Sequence, residues 1–310
     1  MRGHVRMDLN TASADQLRGM LLQLAEKLQS FQYREGIFPN GHFYSPSPDR
    51  KMIEEETAFV APPAMTIPGI DLQPERQLTL LDAFRAYGPD VDFPEHADGG
   101  HRFYYQNEYF ADADAIALFC MMRHVRPTRI VEVGSGFSSA LMLDVNERYF
   151  SGEIALTFVE PYADRLRHLM RPADAACSTI VESPVQKADP AMFKALAPND
   201  ILFIDSSHVV KYGSDLAHLL WNVLPVLAPG VIVHFHDVFY PFEYPPEWLR
   251  EGRFWNECYL LRAFLTHNPA YRMELFLDYV QRLDGAAIAA VHPIWARRTG
   301  GSLWLRKIGA

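Results

Sequence analysis

Apolar runs alternate with amphipathic stretches over the second half of this chain. Short runs rich in branched aliphatic residues lie at 129–133, 155–159, 178–181, 201–204 and 231–235. Each reads as a strand, and its near-continuous hydrophobicity marks a parallel strand covered on both faces. Between them, Ser138–Tyr149, Tyr162–Met170, Ala191–Leu196 and Ser214–Leu227 carry helical spacing. Two further runs, at 273–276 and 302–306, are placed to close the sheet. Strand and helix in alternation predict an α/β, Rossmann-like doubly wound fold, whose ligand lies outside the carboxyl ends of the strands.

The first hundred residues follow a different pattern. Residues 11–33 read as a helix, with Thr11, Ser13 and Asp15 as caps and Leu17, Met20, Leu21, Leu24 and Leu28 near a 3.6 period. The stretch 36–50, dense in Pro, Gly and Asn, reads as loop. One helix is expected within 66–88 and another ending before Pro127. The division expected is an N-terminal extension over 1–100 and a ligand-binding domain over 101–310.

The strand ends hold the chemistry. "IVEVGSGFSS" at 130–139 is strand, glycine turn and helix start. Gly134 and Gly136 let the backbone approach a ligand, Ser135 lies between them, and Ser138 or Ser139 can cap the helix, whose N-terminus favours an anionic group. The second strand ends in Glu160, placed for two ribose hydroxyls. A dinucleotide prefers a third glycine where this chain has Ser139. S-adenosylmethionine carries no phosphate, and Glu132 suits its positively charged methionine end. After the third strand, Val185 and Gln186 are candidates for the adenine. Tyr44, Tyr104, Tyr105, Asn107 and Tyr109 either form a lid or pack the N-terminal segment, with Tyr105 and Asn107 as candidate cofactor contacts.

The fourth strand ends at Asp205, with His208 three residues on, and the fifth delivers His236 and Asp237. Asp205, His236 and Asp237 are candidate ligands for Mg2+ or Mn2+. Asp205 and His208 are the candidate catalytic pair, with His208 as general base. His234, deeper in the same strand, reads as structural. "FYPFEYPPEW" at 239–248 is a wall of the acceptor pocket or an oligomer contact.

These residues resemble class I S-adenosylmethionine-dependent methyltransferases, and more narrowly a bacterial family within the methyltransferase-24 group. "RFYYQNEYF" at 102–110, "EVGSGFSSALMLD" at 132–144, "TFVEPYADRL" at 157–166, "NDILFIDSSHVVKYGSD" at 199–215, "HFHDVFYPFEYPPEW" at 234–248 and "GRFWNECYLLRAFL" at 252–265 carry the likeness. It implies a seven-stranded sheet with an antiparallel last strand, and Glu160 on the ribose. A more distant similarity is to the catechol O-methyltransferase type, where an acid after the fourth strand and an Asp-Asn pair after the fifth bind magnesium and a lysine is the base. Asp205 matches the first acid, His208 stands where the lysine would be, and His236-Asp237 replaces the pair.

The activity expected is methyl transfer to a hydroxyl of a small molecule or sugar, with His208 or a metal aiding loss of the proton. The rivals are a protein that binds S-adenosylmethionine without methylating, and a nicotinamide-dependent oxidoreductase. The net charge of -9 argues against a broad nucleic-acid surface. No segment approaches 18 apolar residues, so no membrane span is expected. Three cysteines without metal-ligand spacing and the lack of an apolar leader point to a cytoplasmic setting.

Overall fold

The structure, a computed structural model, describes residues 13–35, 37–55, 65–110 and 112–309. Thr11, expected as a helix cap, lies outside the described residues. The chain divides into two compact units: Met1–Val60 with Pro246–Phe254, and Ala61–Pro245 with Trp255–Ala310. In the first unit the helix Ala14–Glu35 leaves Leu21, Leu22, Leu24 and Leu28 exposed.

The second unit is built on seven strands: β1 (Arg129–Val133), β2 (Ala155–Val159), β3 (Ser178–Val181), β4 (Ile201–Ile204), β5 (Ile232–Phe235), β6 (Tyr271–Phe276) and β7 (Leu303–Lys307). Their order is β3-β2-β1-β4-β5-β7-β6. β1 to β5 are parallel, and β7 runs antiparallel to both neighbours. This is the Rossmann-like sheet that the alternating pattern predicts. Every residue of β4 and β5 is buried, as expected where helices cover both faces.

The register keeps the strand ends in step. Val133 pairs with Val159 on one side and Ile204 on the other. The ladder then runs one residue further: Gly134 N–H donates to the Val159 carbonyl, Asp205 N–H to that of Val133, and His236 N–H to that of Ile204. Glycine, aspartate and histidine therefore emerge at one height on adjacent strands.

The helix Phe137–Phe150 follows the glycine turn and is anchored from behind. Buried Arg102 pairs with Asp144 and Glu147 near the middle of that helix and with Asp174. Three carboxylates satisfy one guanidinium, which is how a buried arginine avoids an uncompensated charge. The helix expected over Ser214–Leu227 is broken. It runs as Asp215–His218, a wider turn over Leu219–Val223 and a tighter one over Leu224–Val226. Pro225 has no N–H to give, and its ring clashes with the turn before it.

Candidate active site

A cleft of about 370 Å³ opens at the carboxyl ends of β1, β2 and β4. Its lining includes Gly134, Glu160, Val185, Gln186, Asp205, Ser206 and Lys211. Gly134 is there because nothing else fits. Its φ is +83°, and an added Cβ would stand 1.7 Å from the Asp205 carbonyl oxygen. Gly136 is under no such demand, since a Cβ there would meet only the Arg165 side chain at 3.6 Å. It instead heads the helix: Gly136 N–H donates to Ser139 Oγ at 3.0 Å.

Glu160 ties two loops together. One carboxylate oxygen accepts Ser135 N–H at 3.1 Å and the other accepts Tyr162 N–H at 2.8 Å. Each oxygen keeps a second lone pair, so the carboxylate is positioned while still able to accept from a pair of hydroxyls. Val185 is buried and gives an apolar floor. Gln186 is exposed, its Nε2 donating to the Gly213 carbonyl at 2.8 Å.

Six expected cofactor residues are not part of the cleft lining: Glu132, Ser135, Gly136, Ser138, Tyr105 and Asn107. Glu132 is fully buried beneath the glycine turn, where its two oxygens accept from the hydroxyls of Ser138 and Ser139. Burial raises its carboxyl to about 8, against the pull of those hydroxyls. Tyr105 packs edge-on between Phe93 and Phe103. Asn107 spends its amide on its own loop: Nδ2 donates to the Tyr104 and Phe110 carbonyls, and Oδ1 accepts from Tyr109 and Phe110 N–H. The loop it shapes does lie beside the glycine turn, for Tyr109 stacks on Phe137 and carries Arg165 3.7 Å above its ring.

The ends of β4 and β5 are charged. His208 Nε2 stands 3.5 Å from Asp205 Oδ1 and 3.7 Å from Asp237 Oδ2. Its Nδ1 meets Glu257 Oε2 at 2.8 Å, and its ring lies on Trp255 with centroids 4.3 Å apart. Burial opposes charge on this imidazole. The Glu257 hydrogen bond and then the charges of Glu257, Asp237 and Asp205 outweigh it and raise the ring to about 9. His208 and Asp237 both adopt left-handed backbone, each with φ +57°, a costly conformation that the surrounding bonds must impose. His236 Nε2 stands 3.6 Å from Asp237 Oδ1. Burial disfavours its charge too, but Asp237, Asp205 and Asp114 raise it. His234 is wholly buried between Phe203 and Trp304, and burial pushes it well below its ordinary value.

The expected metal ligands do not assemble into a cage. Among the described residues no group of three or more His, Cys, Asp or Glu is placed to hold a metal ion. The His208 ring stands 3.5 Å from Asp205 and 3.7 Å from Asp237, filling the place beside both carboxylates, so this donor set does not fit Mg2+ or Mn2+. In the tract 239–248, Tyr240, Phe242 and Tyr244 are buried and pack against Phe276, Tyr279 and Tyr259. Glu257 was missed from the sequence. It begins the helix Glu257–Leu265 and shares its buried face with Cys258, Leu261 and Leu265, and an acid in an apolar phase was the available signal.

The sheet is of the Rossmann-like α/β kind, with the glycine turn and Glu160 lining the cleft at its strand ends. A family model described as a methyltransferase domain matches residues 131–238. An uncharacterized protein of Archaeoglobus fulgidus is 38% identical over 173 residues, covering 53% of this chain and 76% of that one. Among solved structures, a methyltransferase of Podospora anserina with S-adenosylhomocysteine bound shares 15% identity, covers 74% of this chain and 87% of its own, and superposes with a TM-score of 0.40. The O-methyltransferase TomG of Streptomyces achromogenes, involved in tomaymycin synthesis and solved with S-adenosylmethionine, shares 13% identity, covers 84% and 96%, and gives a TM-score of 0.37. Residues 131–238 of the chain thus match a methyltransferase domain, set in a Rossmann-like seven-stranded sheet. No described helix is long and apolar enough to cross a membrane.

Proposed function

We propose that the protein transfers the methyl group of S-adenosylmethionine to a hydroxyl oxygen of a small molecule or sugar seated at the ends of β4 and β5. One observation carries this reading: the cleft runs from Gly134 and Glu160 to Asp205, and the His208 ring lies 3.5 Å beyond Asp205. Glu160 accepts from the ribose hydroxyls, and Val185 with Gln186 borders the adenine. The methyl carbon is thereby directed toward the charged strand ends. The acceptor oxygen attacks that carbon, the sulfur–methyl bond breaks, and S-adenosylhomocysteine leaves. Most of the acceleration comes from aligning oxygen, carbon and sulfur.

The hydroxyl proton must go to a base. A ring raised to about 9 is already protonated at neutral pH, so the base role expected for His208 passes to the flanking carboxylates of Asp205 and Asp237. His208 then serves as a fixed positive group that stabilises the oxygen as it loses its proton. No step is routed through a metal, since the donor set does not fit one. The pH profile of methyl transfer separates the two roles. With carboxylates as the base, activity falls above about pH 9 as the ring loses its charge; with His208 as the base, activity climbs up to about pH 9.

A further inference from the structure

The residues 255–257, outside the matched domain, grip the loop that carries His208. The backbone N–H groups of Asn256 and Glu257 both donate to the His208 carbonyl at 3.2 Å. Asn256 Oδ1 accepts Val210 N–H at 2.6 Å, and Asn256 Nδ2 donates to the Val210 carbonyl at 3.2 Å. Trp255 covers one face of the ring, and the Glu257 carboxylate reaches Nδ1. Glu257 is itself 1% exposed, and its other oxygen has no hydrogen-bond partner. A buried carboxylate with a single partner is costly, so its retention calls for a role that an apolar residue could not fill.

We infer that Glu257 is a positioning residue for methyl transfer, holding the His208 ring with Nε2 facing both Asp205 and Asp237, so that an imidazole fills the place beside the two aspartates that a divalent cation would need. The geometry admits one arrangement. With Nδ1 committed to Glu257, Nε2 is the nitrogen turned to the two aspartates, at 3.5 Å from Asp205, which lines the cleft, and 3.7 Å from Asp237. His236 approaches from the far side of Asp237, at 3.6 Å, and adds a second imidazole against the same carboxylate. The two aspartates thus face imidazole nitrogens, and a divalent ion would have to displace the His208 ring from its stack on Trp255. The inference rests on the methyl-transfer reading for its consequence, but its geometry stands apart from that reading.

The test uses the full chain with Glu257→Gln, His208→Gln and His208→Ala, all confirmed folded by thermal melting. Histidine ring NMR, titration with Mn2+ alone followed by electron paramagnetic resonance, and S-adenosylhomocysteine calorimetry are the readouts. The wild type is expected to show a low-field Nδ1–H signal that disappears in both Glu257→Gln and His208→Gln. It is expected to bind Mn2+ at least about tenfold more weakly than His208→Ala, in which the two aspartates are relieved of the ring. With an acceptor, Glu257→Gln lowers kcat about tenfold and leaves KM for S-adenosylmethionine unchanged. The inference is overturned if the wild type holds stoichiometric Mn2+, or if Glu257→Gln keeps the low-field signal. Failure of the wild type to bind S-adenosylhomocysteine would remove the methyl-transfer reading, while the ring signal and the manganese titration still decide the role of Glu257.

Discussion

The strand ends on the two sides of the sheet's centre are built by different means, and Asp205 is the member of the second group that lines the cleft. At the ends of β1 and β2 the work is done by backbone: a glycine that leaves no room for a Cβ, and peptide N–H groups fixed on Glu160. At the ends of β4 and β5 it is done by charged side chains, three imidazole-to-carboxylate contacts converging from Asp205, Asp237 and Glu257 on His208. Under the proposed function, the first kind of site holds the cofactor and the second serves the chemistry, and the parts of the second come from distant stretches of chain.

Substitutions that touch only one end should separate the two. The largest effect on binding is expected from Gly134→Ala. The new Cβ would meet the Asp205 carbonyl at 1.7 Å on a backbone at φ +83°. Stability should fall by roughly 3 kcal/mol or more and S-adenosylhomocysteine binding should vanish, as read by thermal melting and calorimetry. Survival of binding would mean that the glycine turn is not the cofactor cradle.

Glu132→Gln comes next and probes the support beneath that turn. Burial holds the Glu132 carboxyl at about 8, above the 4.5 of the unfolded chain. The folded state therefore keeps this proton longer, and the stability it contributes is full below about pH 4.5 and is lost as the pH rises through about 8. Glutamine has no such proton, so the variant should lose this decline, a difference of about 5 kcal/mol across that window in denaturant melts. Parallel pH profiles for the two proteins would show that Glu132 is not held protonated.

The smallest effect is expected from Gln186→Ala. Gln186 is exposed and makes one bond, to the Gly213 carbonyl. Stability should change by less than about 0.5 kcal/mol and the dissociation constant for S-adenosylhomocysteine by less than about threefold. A larger loss of affinity would give this side chain a direct part in holding the adenine.

The same contrast explains what could be read in the sequence. The strands were legible because their burial on both faces demands unbroken apolar runs, and β1 to β4 begin and end where those runs do. The glycine turn and Glu160 were legible because backbone demands leave residue-type signatures at fixed spacing. Tyr105 and Asn107 show the limit of that approach. Their residue types suit a binding site, but Tyr105 is spent on an aromatic cluster and Asn107 on its own loop. At the charged end, Asp205, His208, His236 and Asp237 are linked by contacts of 3.5 to 3.7 Å, a proximity that their places at neighbouring strand ends predict. The partner that sets the state of His208 lies 49 residues away, and no local pattern ties Glu257 to it. The metal expectation failed for the same reason: a donor list does not reveal that an imidazole occupies the space beside the donors.

The central claim is that one cleft joins a ribose-binding Glu160 to a charged acceptor end at Asp205. A crystal structure with S-adenosylhomocysteine bound, paired with calorimetry on Glu160→Gln, tests it most directly. The account predicts the ribose hydroxyls on Glu160, the sulfur directed toward Asp205 and His208, and about tenfold weaker binding in the variant. A ligand lying away from Glu160, or equal affinity in the variant, would contradict it.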